Sequence, residues 1–333
     1  MTPADRAFEL VNGFRFTQMV YAAVELGIPD LVAAEPSSLE GLATATGIDP
    51  SRLRRLLRGL VALGVLRESE DRYANTEVGE LFREGVDGSR RAQLRMLVPE
   101  SYRNWDHFVE TLRTGVTGQQ LAHGATLWEL IARDPDFAAR FNDAMAGHSE
   151  DANSIVAKSG DFRKASMVVD VGGGEGSLLA AVLDAHPGLR GIVYDLAAGL
   201  AQTHAYLAAR GLGGRASIVE GSFFESVPEG DVYLLRDILH DWDDERATEI
   251  LRVCRRPMHA GARLMVVERM ASSTVAEGPV QADAAVIDLQ MMVQLGGKER
   301  TLAEMEELFE SAGLKLDRFT PGGVWQLVEA VPI

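Results

Sequence analysis

A histidine and several acids directly follow an apolar run in the sequence VYLLRDILHDWDDE. Polar residues that follow a strand of a parallel sheet emerge at the edge where ligands bind. A histidine at that edge can take a proton near neutral pH, so His240 is a candidate general base. His240 and Asp241 could supply two metal ligands, but no neighbouring histidine or cysteine cluster completes a site, and we predict no metal. Asp243 and Asp244 are typical of the start of a helix.

A second candidate site is the glycine-rich turn DVGGGEG, which leaves another apolar run and enters a helical pattern. Glycines let the backbone approach a ligand closely at the positive end of a helix. No third glycine follows Gly172 and Gly174 at the dinucleotide-binding spacing, and the neighbouring acids Asp170 and Glu175 would repel a pyrophosphate. These acids suit a cationic ligand such as S-adenosylmethionine, and Asp195, after the next apolar run, can accept hydrogen bonds from its ribose. The plainer alternative is that the glycines only turn a strand into a helix.

Both candidate sites require a sheet of parallel strands with helices between them. From about residue 165, apolar strand-like runs alternate with amphipathic helices, which predicts an α/β, doubly wound, Rossmann-like sheet over residues 165–333. The helical pattern of residues 91–164 predicts a connector that roofs the pocket. A chain of 333 residues has room for about two domains, and residues 1–90 are expected to form the first.

The first 90 residues predict the helix, helix, hairpin order of a winged helix. Residues 3 to about 26 and a segment after Ser38 predict helices, Asp49 can cap a third that begins at Pro50, and VLRESEDRYANT predicts a short hairpin. A winged helix can bind DNA through an arginine-bearing helix. Residues 1–100, however, hold 12 basic and 15 acidic side chains. We therefore favour a dimerisation domain over a DNA-binding module.

The overall composition also argues against binding of nucleic acid. The chain holds 33 basic and 49 acidic side chains, a net charge of −16, which argues against nucleic acid as a partner. No run of about 18 apolar residues could span a membrane, and the N-terminus has no export signal, so we expect a cytoplasmic protein. The single cysteine, Cys254, cannot form an internal disulfide and is expected to be a small buried side chain.

Five motifs occur together in one order and spacing: DVGGGEGSLL, YDLA, GSFF, LLRDILHDWDDE and GGKERT. As a set they resemble the plant-type S-adenosylmethionine-dependent O-methyltransferase family, which includes caffeate, isoflavone and hydroxyindole-like enzymes and a bacterial natural-product branch. The resemblance covers essentially the whole chain. It implies S-adenosylmethionine as the cofactor, a small aromatic or polyketide-type hydroxyl compound as the substrate, and a homodimer formed through the winged-helix domain.

The resemblance also implies roles for residues. His240 is implied to be the general base, flanked by Glu268 and Glu299. The expected cofactor-binding set, which includes one acid of the glycine-rich turn, is Asp170, Gly172, Gly173, Gly174, Asp195, Leu196, Ser222, Phe223, Arg236 and Ser149. The residues implied to border the substrate are Trp105, Met145, Asp241, Met291 and Met292. Ser222 and Arg236 stand where plant members usually have an aspartate and a lysine.

Plainer roles remain open for several of these residues. Glu268 could pair with an arginine at a strand end, Glu299 could belong to a turn before a capping box of Thr301 and Glu304, and the methionines could be core. Three functions compete: an O-methyltransferase, a same-fold enzyme that performs C- or N-methylation or non-methylating chemistry (hydroxylation, pericyclic reactions), and a winged-helix DNA-binding regulator. The presence of His240 with both glutamates favours the first.

Overall fold

The computed structural model describes residues 2–146, 150–272 and 279–333, without the side chains of residues 97, 142–146, 150 and 279–283. The chain divides into two compact units, Met1–Tyr102 and Arg103–Ile333. No helix among the described residues is both long enough and apolar enough to cross a membrane.

The first unit joins helices to a small antiparallel sheet with the strand order β1-β3-β2. Its elements are α1 (Pro3–Glu25), α2 (Ile28–Leu31), β1 (Ser37–Ser38), α3 (Leu39–Thr46), α4 (Pro50–Ala62), β2 (Leu66–Ser69), β3 (Arg72–Asn75), α5 (Glu77–Glu80) and α6 (Arg91–Asp106), the helix in which the boundary between the units falls. The predicted helix start is confirmed, because the Asp49 side chain accepts hydrogen bonds from the backbone N–H groups of Ser51 and Arg52. The predicted hairpin is the pair β2 and β3.

Apolar side chains are divided unequally between two helices of this unit. Leu53, Leu57 and Leu60 of α4 are buried in the core of the unit. On α1 a set of large apolar side chains is 54–70% exposed: Phe8, Leu10, Val11 and Phe14. We call these four residues the α1 apolar patch. Exposed apolar patches on a domain are typical of surfaces that another molecule covers.

The second unit begins with a run of helices, as the sequence predicts. After the end of α6 these are α7 (Phe108–Thr114), α8 (Gly118–His123), α9 (Leu127–Arg133), α10 (Pro135–Ala146) and α11 (Glu150–Ser159).

A seven-stranded sheet forms the centre of the second unit, with the strand order β6-β5-β4-β7-β8-β10-β9. Its elements are β4 (Met167–Val171), α12 (Ser177–Ala185), β5 (Arg190–Asp195), α13 (Thr203–Ala209), β6 (Ala216–Glu220), β7 (Val232–Arg236), a 3₁₀ turn (Leu239–Asp241), α14 (Asp244–Arg255), β8 (Arg263–Glu268), α15 (Pro279–Gln294), α16 (Leu302–Ser311), β9 (Leu314–Gly322) and β10 (Trp325–Pro332). Strands β4 to β8 are parallel, which confirms the doubly wound sheet. Apolar clusters cover both faces of the sheet.

The strand order reverses at β4, which pairs with β5 on one side and with β7 on the other. Such a switch point opens a crevice at the carboxyl ends of the strands, where ligands of this fold class bind. The turns that follow β4, β5 and β7 therefore meet at one edge of the sheet. These turns carry the glycine-rich motif, Asp195 and the segment around His240.

Three details differ from the sequence-based expectations. The sequence predicts a helix from Gly174, but α12 begins at Ser177, because Gly174 and Gly176 have φ values of 54° and 88°, outside the helical region. The run VYLLRDIL predicts a strand over residues 232–239, but β7 ends at Arg236, because the next residue has a positive φ. The hairpin of β9 and β10, antiparallel to β8, was not predicted.

Candidate active site

His240 lies in the 3₁₀ turn after β7 and is only 8% exposed. Its ring nitrogen Nδ1 is 2.9 Å from Oε1 of Glu299. Its other nitrogen, Nε2, is 3.4 Å from Oδ1 of Asp241 and 3.9 Å from Oδ1 of Asp237. One carboxylate thus binds the ring on the Nδ1 side, and two more approach the Nε2 side.

Glu268, the last residue of β8, contacts the backbone of this turn. Its Oε1 accepts hydrogen bonds from the backbone N–H of Leu239 at 2.6 Å and of His240 at 3.1 Å. Glu268 is 1% exposed. Glu268 therefore fixes the position of the turn, whereas Glu299 contacts the histidine ring itself.

Arg300 is a residue of this site that the sequence reasoning missed. It is fully buried and donates from Nη1 to the carbonyl of Leu239 and from Nη2 to the carbonyl of Trp242, each at 2.7 Å. Its Nε donates to Oδ1 of Asp244 at 2.9 Å. The guanidinium thus holds the backbone on both sides of His240 and Asp241. The available signal was its place in GGKERT, directly after Glu299.

The segment before Glu299 packs tightly on the 3₁₀ turn Leu239–Asp241, which carries the candidate base and which we call the catalytic turn. A Cβ on Gly297 would lie 2.0 Å from the carbonyl oxygen of His240, so only glycine fits there. The backbone N–H of Glu299 donates to Oδ1 of Asp288 in α15 at 2.9 Å. Thr301 and Glu304 do form the capping box of α16, so the capping role and the contact of Glu299 with His240 occur together.

Four carboxylates govern the electrostatics of the turn. Burial alone would lower the pKa of His240, but the carboxylates around the ring raise it well above its ordinary value of 6.5. Burial raises the pKa of Asp241 to about 7, against the attraction of His240. Burial likewise raises the pKa of Glu268 to about 7 and raises that of Asp237. Raised pKa values in a buried cluster of this kind are typical of functional sites.

The glycine-rich turn forms an open cradle at the end of β4. Gly172 and Gly174 have φ values of 71° and 54°, and a Cβ on Gly174 would meet no atom within 4 Å. Asp195 accepts from the backbone N–H of Gly174 at 2.9 Å and from that of Leu196 at 2.6 Å. Buried Thr203 donates to the carbonyl of Gly174 at 2.7 Å, a support that the sequence reasoning missed.

Asp170 lies beneath this cradle. It is 1% exposed, and its Oδ2 accepts from the backbone N–H of Leu179 in α12 at 3.1 Å. Burial raises the pKa of Asp170 to about 6, and the charge of Arg236 opposes this rise. A Cβ on Gly173 would lie 2.8 Å from the Asp170 carboxyl carbon. The contacts of Asp170 are those of a residue that supports the turn from within.

The other expected cofactor residues line the same edge of the sheet. Phe223 lies beside the cradle, since its Cε1 would be 3.6 Å from a Cβ on Gly172. Leu196, next to Asp195, is 56% exposed. Arg236 donates from Nη1 to Oδ1 of Asn153 at 2.5 Å and to Oγ of Ser177 at 3.3 Å.

Ser222 is half-buried, and its Oγ accepts a hydrogen bond from the backbone N–H of Phe224 at 3.3 Å. Ser149 lies outside the described residues, and so does the side chain of Met145.

Trp105, one of the residues expected to border the substrate, contacts α15. The indole N–H of Trp105 donates to Oε1 of Gln290 at 2.6 Å, and Met291 and Met292, the next two residues of α15, are half-buried. A cavity of about 310 Å³ opens beside the catalytic turn, and its lining includes Trp242 and Gln294.

The groups that line the cradle fit S-adenosylmethionine. They offer a carboxylate for ribose hydroxyls, apolar surface for the adenine at Leu196 and Phe223, and glycine backbone that a ligand can approach. Within the part of the chain that the structure describes, no group of three or more histidine, cysteine or acidic side chains is arranged to hold a metal ion.

Comparisons with known proteins identify the family. Residues 8–85 match the O-methyltransferase dimerisation domain and residues 105–315 match the O-methyltransferase domain. Phenazine O-methyltransferase PhzM from Lysobacter antibioticus is 38% identical over 328 residues, which cover 98% of this chain and 95% of that protein. Mitomycin biosynthesis 6-O-methyltransferase from Streptomyces lavendulae is 36% identical over 319 residues, which cover 95% of this chain and 90% of that protein.

A solved structure adds ligands to this comparison. The O-methyltransferase NcsB1 from neocarzinostatin biosynthesis, in complex with S-adenosylmethionine and 2-hydroxy-5-methyl naphthoic acid, matches with a TM-score of 0.84 and 34% identity, covering 95% of this chain and 96% of that chain. The dimerisation domain and the aromatic compounds on which the relatives act support a homodimer and a small aromatic substrate. The chain belongs to the S-adenosylmethionine-dependent O-methyltransferase family, within the branch that modifies bacterial natural products.

Proposed function

We propose that this O-methyltransferase uses His240 as the base that removes the proton from an aromatic hydroxyl group of its acceptor. The observation that carries the proposal is the 2.9 Å contact between His240 Nδ1 and Glu299 Oε1. A carboxylate at Nδ1 favours the neutral tautomer with its proton on that nitrogen, which leaves the lone pair on Nε2. Nε2 is then the atom that can accept the proton of the acceptor hydroxyl.

When bound, S-adenosylmethionine supplies the methyl group on a sulfonium, which is a good leaving group. His240 takes the hydroxyl proton at Nε2 while the oxygen gains the methyl group, and Glu299 and Asp241 stabilise the resulting imidazolium. Glu268 and Arg300 hold the backbone of the turn, which keeps the ring aligned with the acceptor. The proton leaves to water when the products are released.

The charge around His240 couples cofactor binding to the state of the base. In the protein alone the carboxylates raise the pKa of His240 and so favour its protonated form, which cannot act as a base. A cation bound nearby lowers the pKa of a histidine. We infer that the positively charged cofactor and the neutral form of His240 favour each other.

For the cofactor we propose the expected set, with different tasks for its members. Asp195 binds the ribose hydroxyls, Leu196 and Phe223 cover the adenine, and the backbone of residues 172–174 lies against the methionine part. Ser222, Arg236 and Ser149 complete the proposed set. The burial of Asp170 supports a role beneath the turn rather than at the ligand.

For the acceptor we propose a pocket bordered by Trp105, Met145, Asp241, Met291 and Met292. The hydrogen bond between Trp105 and Gln290 of α15 supports the inclusion of Trp105.

We also propose the division of labour that the sequence predicts: residues 1–90 for dimerisation, 91–164 as connector and roof, and 165–333 for cofactor binding and catalysis. The α1 apolar patch supports a contact with a second copy of the chain. We propose no nucleic acid or membrane partner, and a cytoplasmic location. Cys254, the single cysteine, is fully buried, and burial raises the pKa of its thiol to about 12, so it is unreactive and consistent with a reducing compartment.

A product analysis tests the function. The purified protein is incubated with S-adenosylmethionine labelled in its methyl group and a panel of phenolic, quinone and polyketide acceptors, and products are identified by mass spectrometry and NMR. The label should appear on an acceptor oxygen together with one equivalent of S-adenosylhomocysteine. Label on carbon or nitrogen, or an altered acceptor without S-adenosylhomocysteine, would instead favour another enzyme of the same fold.

A mobility-shift assay at low salt tests the exclusion of DNA. The arginines of α4 are exposed, so a winged helix that binds DNA should retard a duplex under these conditions. We expect no retardation.

A further inference from the structure

Asp237 has a backbone conformation that non-glycine residues rarely adopt. Its φ is 54°, and the other described non-glycine residues with positive φ, Glu70 and Asp71, form the tip of the β2–β3 hairpin. Asp237 instead connects β7 to the catalytic turn, and its backbone N–H still donates to the carbonyl of Val267 in β8 at 3.1 Å. Strained residues of this kind persist where the surroundings enforce them, and they concentrate at functional sites.

The carboxylate of Asp237 lies against the atom that performs the chemistry. Its Oδ1 is 3.9 Å from His240 Nε2, is shielded from solvent and accepts no hydrogen bond. The side chain as a whole is 33% exposed, whereas that of Asp241 is only 11% exposed. Asp237 is therefore the more open of the two carboxylates beside Nε2, and its oxygen lacks the partner that a buried carboxylate needs.

The position of this oxygen favours the acceptor, rather than the cofactor, as the molecule that provides the missing partner. The acceptor hydroxyl must come within hydrogen-bond distance of Nε2 to give up its proton. The ammonium of S-adenosylmethionine is three carbons away from its sulfur, on the far side of the methyl group that the acceptor oxygen attacks. A group within 4 Å of Nε2 thus faces the acceptor.

We propose that Asp237 is a specificity-determining residue that accepts a hydrogen bond from a second donor, a hydroxyl or an amino group, on the ring carbon next to the hydroxyl that is methylated. Substituents on adjacent ring carbons lie about one hydrogen-bond length apart, so one can bind Nε2 while the other binds the partly exposed carboxylate of Asp237, whose Oδ1 lies 3.9 Å from Nε2. A donor farther round the ring diverges from this pair. The inference rests on the proposed function, because it takes His240 as the base.

The test compares matched acceptors on matched variants. The acceptors are catechol and 2-aminophenol against phenol, and 1,2-dihydroxynaphthalene against 1-naphthol. The variants are the wild type, Asp237→Asn and Asp317→Asn, a control carboxylate on the outermost strand β9 that bonds to Arg263. Asparagine tolerates positive φ and has the shape of aspartate, so Asp237→Asn should fold. Two quantities are measured: kcat/KM for each acceptor, and its Kd for the complex with S-adenosylhomocysteine.

The wild type and Asp317→Asn should prefer the acceptors with an adjacent donor by about tenfold or more, as expected for a hydrogen bond to a charged group. Asp237→Asn should lose most of this preference and keep its KM for S-adenosylmethionine. The proposal is overturned if the wild type shows no preference, if Asp237→Asn retains it, or if only the KM for S-adenosylmethionine rises. Should no acceptor be methylated on oxygen, the proposed function fails, while the Kd ratios still decide the role of Asp237.

Discussion

The α1 apolar patch and the catalytic turn depart from the ordinary distribution of residues in opposite ways. The patch leaves large apolar side chains 54–70% exposed, whereas three charged residues that contact the turn, Glu268, Glu299 and Arg300, are almost completely buried. Exposed apolar surface and buried charge are the two departures that carry information about function, because folding alone favours neither. Each unit of this chain thus has a region whose residues do not serve the stability of that unit alone.

The two regions differ in how the unfavourable exposure or burial is offset. In the turn the compensation is internal, since backbone N–H groups bind Glu268 and backbone carbonyls bind Arg300. Among the described residues of its unit, the four side chains of the patch stay 54–70% exposed, although the Arg15 guanidinium lies 5.3 Å from the centre of the Phe14 ring. Substitutions in the turn should therefore change catalysis and folding, whereas substitutions in the patch should change association.

The largest effect is expected at His240. Replacement by alanine should lower kcat by about 10²–10⁴-fold, the usual contribution of a general base, while the affinity for S-adenosylmethionine is largely kept. Rates come from S-adenosylhomocysteine release and affinities from calorimetry. His259→Ala, at an exposed histidine that bonds to Asp231, is the matched control and should leave the rate unchanged. An unaltered rate in His240→Ala would show that another group takes the proton.

Arg300 tests whether the turn is held from inside. Arg300→Met should lower the free energy of unfolding by about 3 kcal/mol, because a buried and a partly buried carbonyl lose a charged donor, and should also lower kcat. Chemical denaturation measures the first effect. Arg300→Lys keeps the charge and should recover part of both losses. Arg210→Met, which removes a half-exposed ion pair and a surface contact with the Tyr206 ring, should change stability by less than about 1 kcal/mol.

The α1 apolar patch gives the reverse pattern. Val11→Glu should weaken the homodimer by about tenfold or more in Kd. Val11 is 70% exposed in the single chain, and a glutamate at this position would place a charge in the apolar contact between the two copies. Analytical ultracentrifugation over a concentration series measures the effect. Arg55→Glu, at an exposed position of α4, should leave the dimer intact. A dimer insensitive to Val11→Glu would move the interface elsewhere.

The smallest effect is a displacement of the pH profile. Only neutral His240 accepts a proton, so kcat/KM for the acceptor should rise with pH through the pKa of this residue. Its neighbouring carboxylates stabilise the imidazolium and raise that pKa. Glu299→Gln removes one of them, so the pKa falls and the rise should move by about one unit toward lower pH, with a lower plateau. A profile that stays in place or moves to higher pH would contradict the assignment.

The sequence was sufficient where a local pattern decides the structure. Asp49 before Pro50 fixed the start of α4, and a polar segment after an apolar run placed His240 at the ligand edge of the sheet. Asp170 shows what such reasoning leaves open. Its charge beside a glycine turn indicates a ligand contact, but only the fold shows that it is 1% exposed and bonded to Leu179.

Arg300 and Asp237 show a limit of reasoning from sequence. The partners of Arg300 lie 58 and 61 residues earlier in the chain, and no local periodicity connects them. The positive φ of Asp237 is likewise imposed by its surroundings, since nothing in the residue type requires it. The β9–β10 hairpin was missed for a different reason. Its signal was present, because Gly322 and Gly323 mark the turn between two strand-like runs.

Glu299 and Arg300 are consecutive residues with opposite charges and different targets, one on the histidine ring and one on the backbone around it. The close approach of Gly297 to the carbonyl of His240 fixes the same segment at one end, and a parallel β-bridge between Arg300 and Met270 fixes it at the other. The spacing of the residues from Gly297 to Arg300 therefore decides which charge faces His240. Deleting Lys298 would bring the arginine to the position of Glu299, counted from Gly297, and would present a cation to His240 instead of an anion. This stretch should tolerate no change in length over evolution, whatever acceptor its descendants come to use.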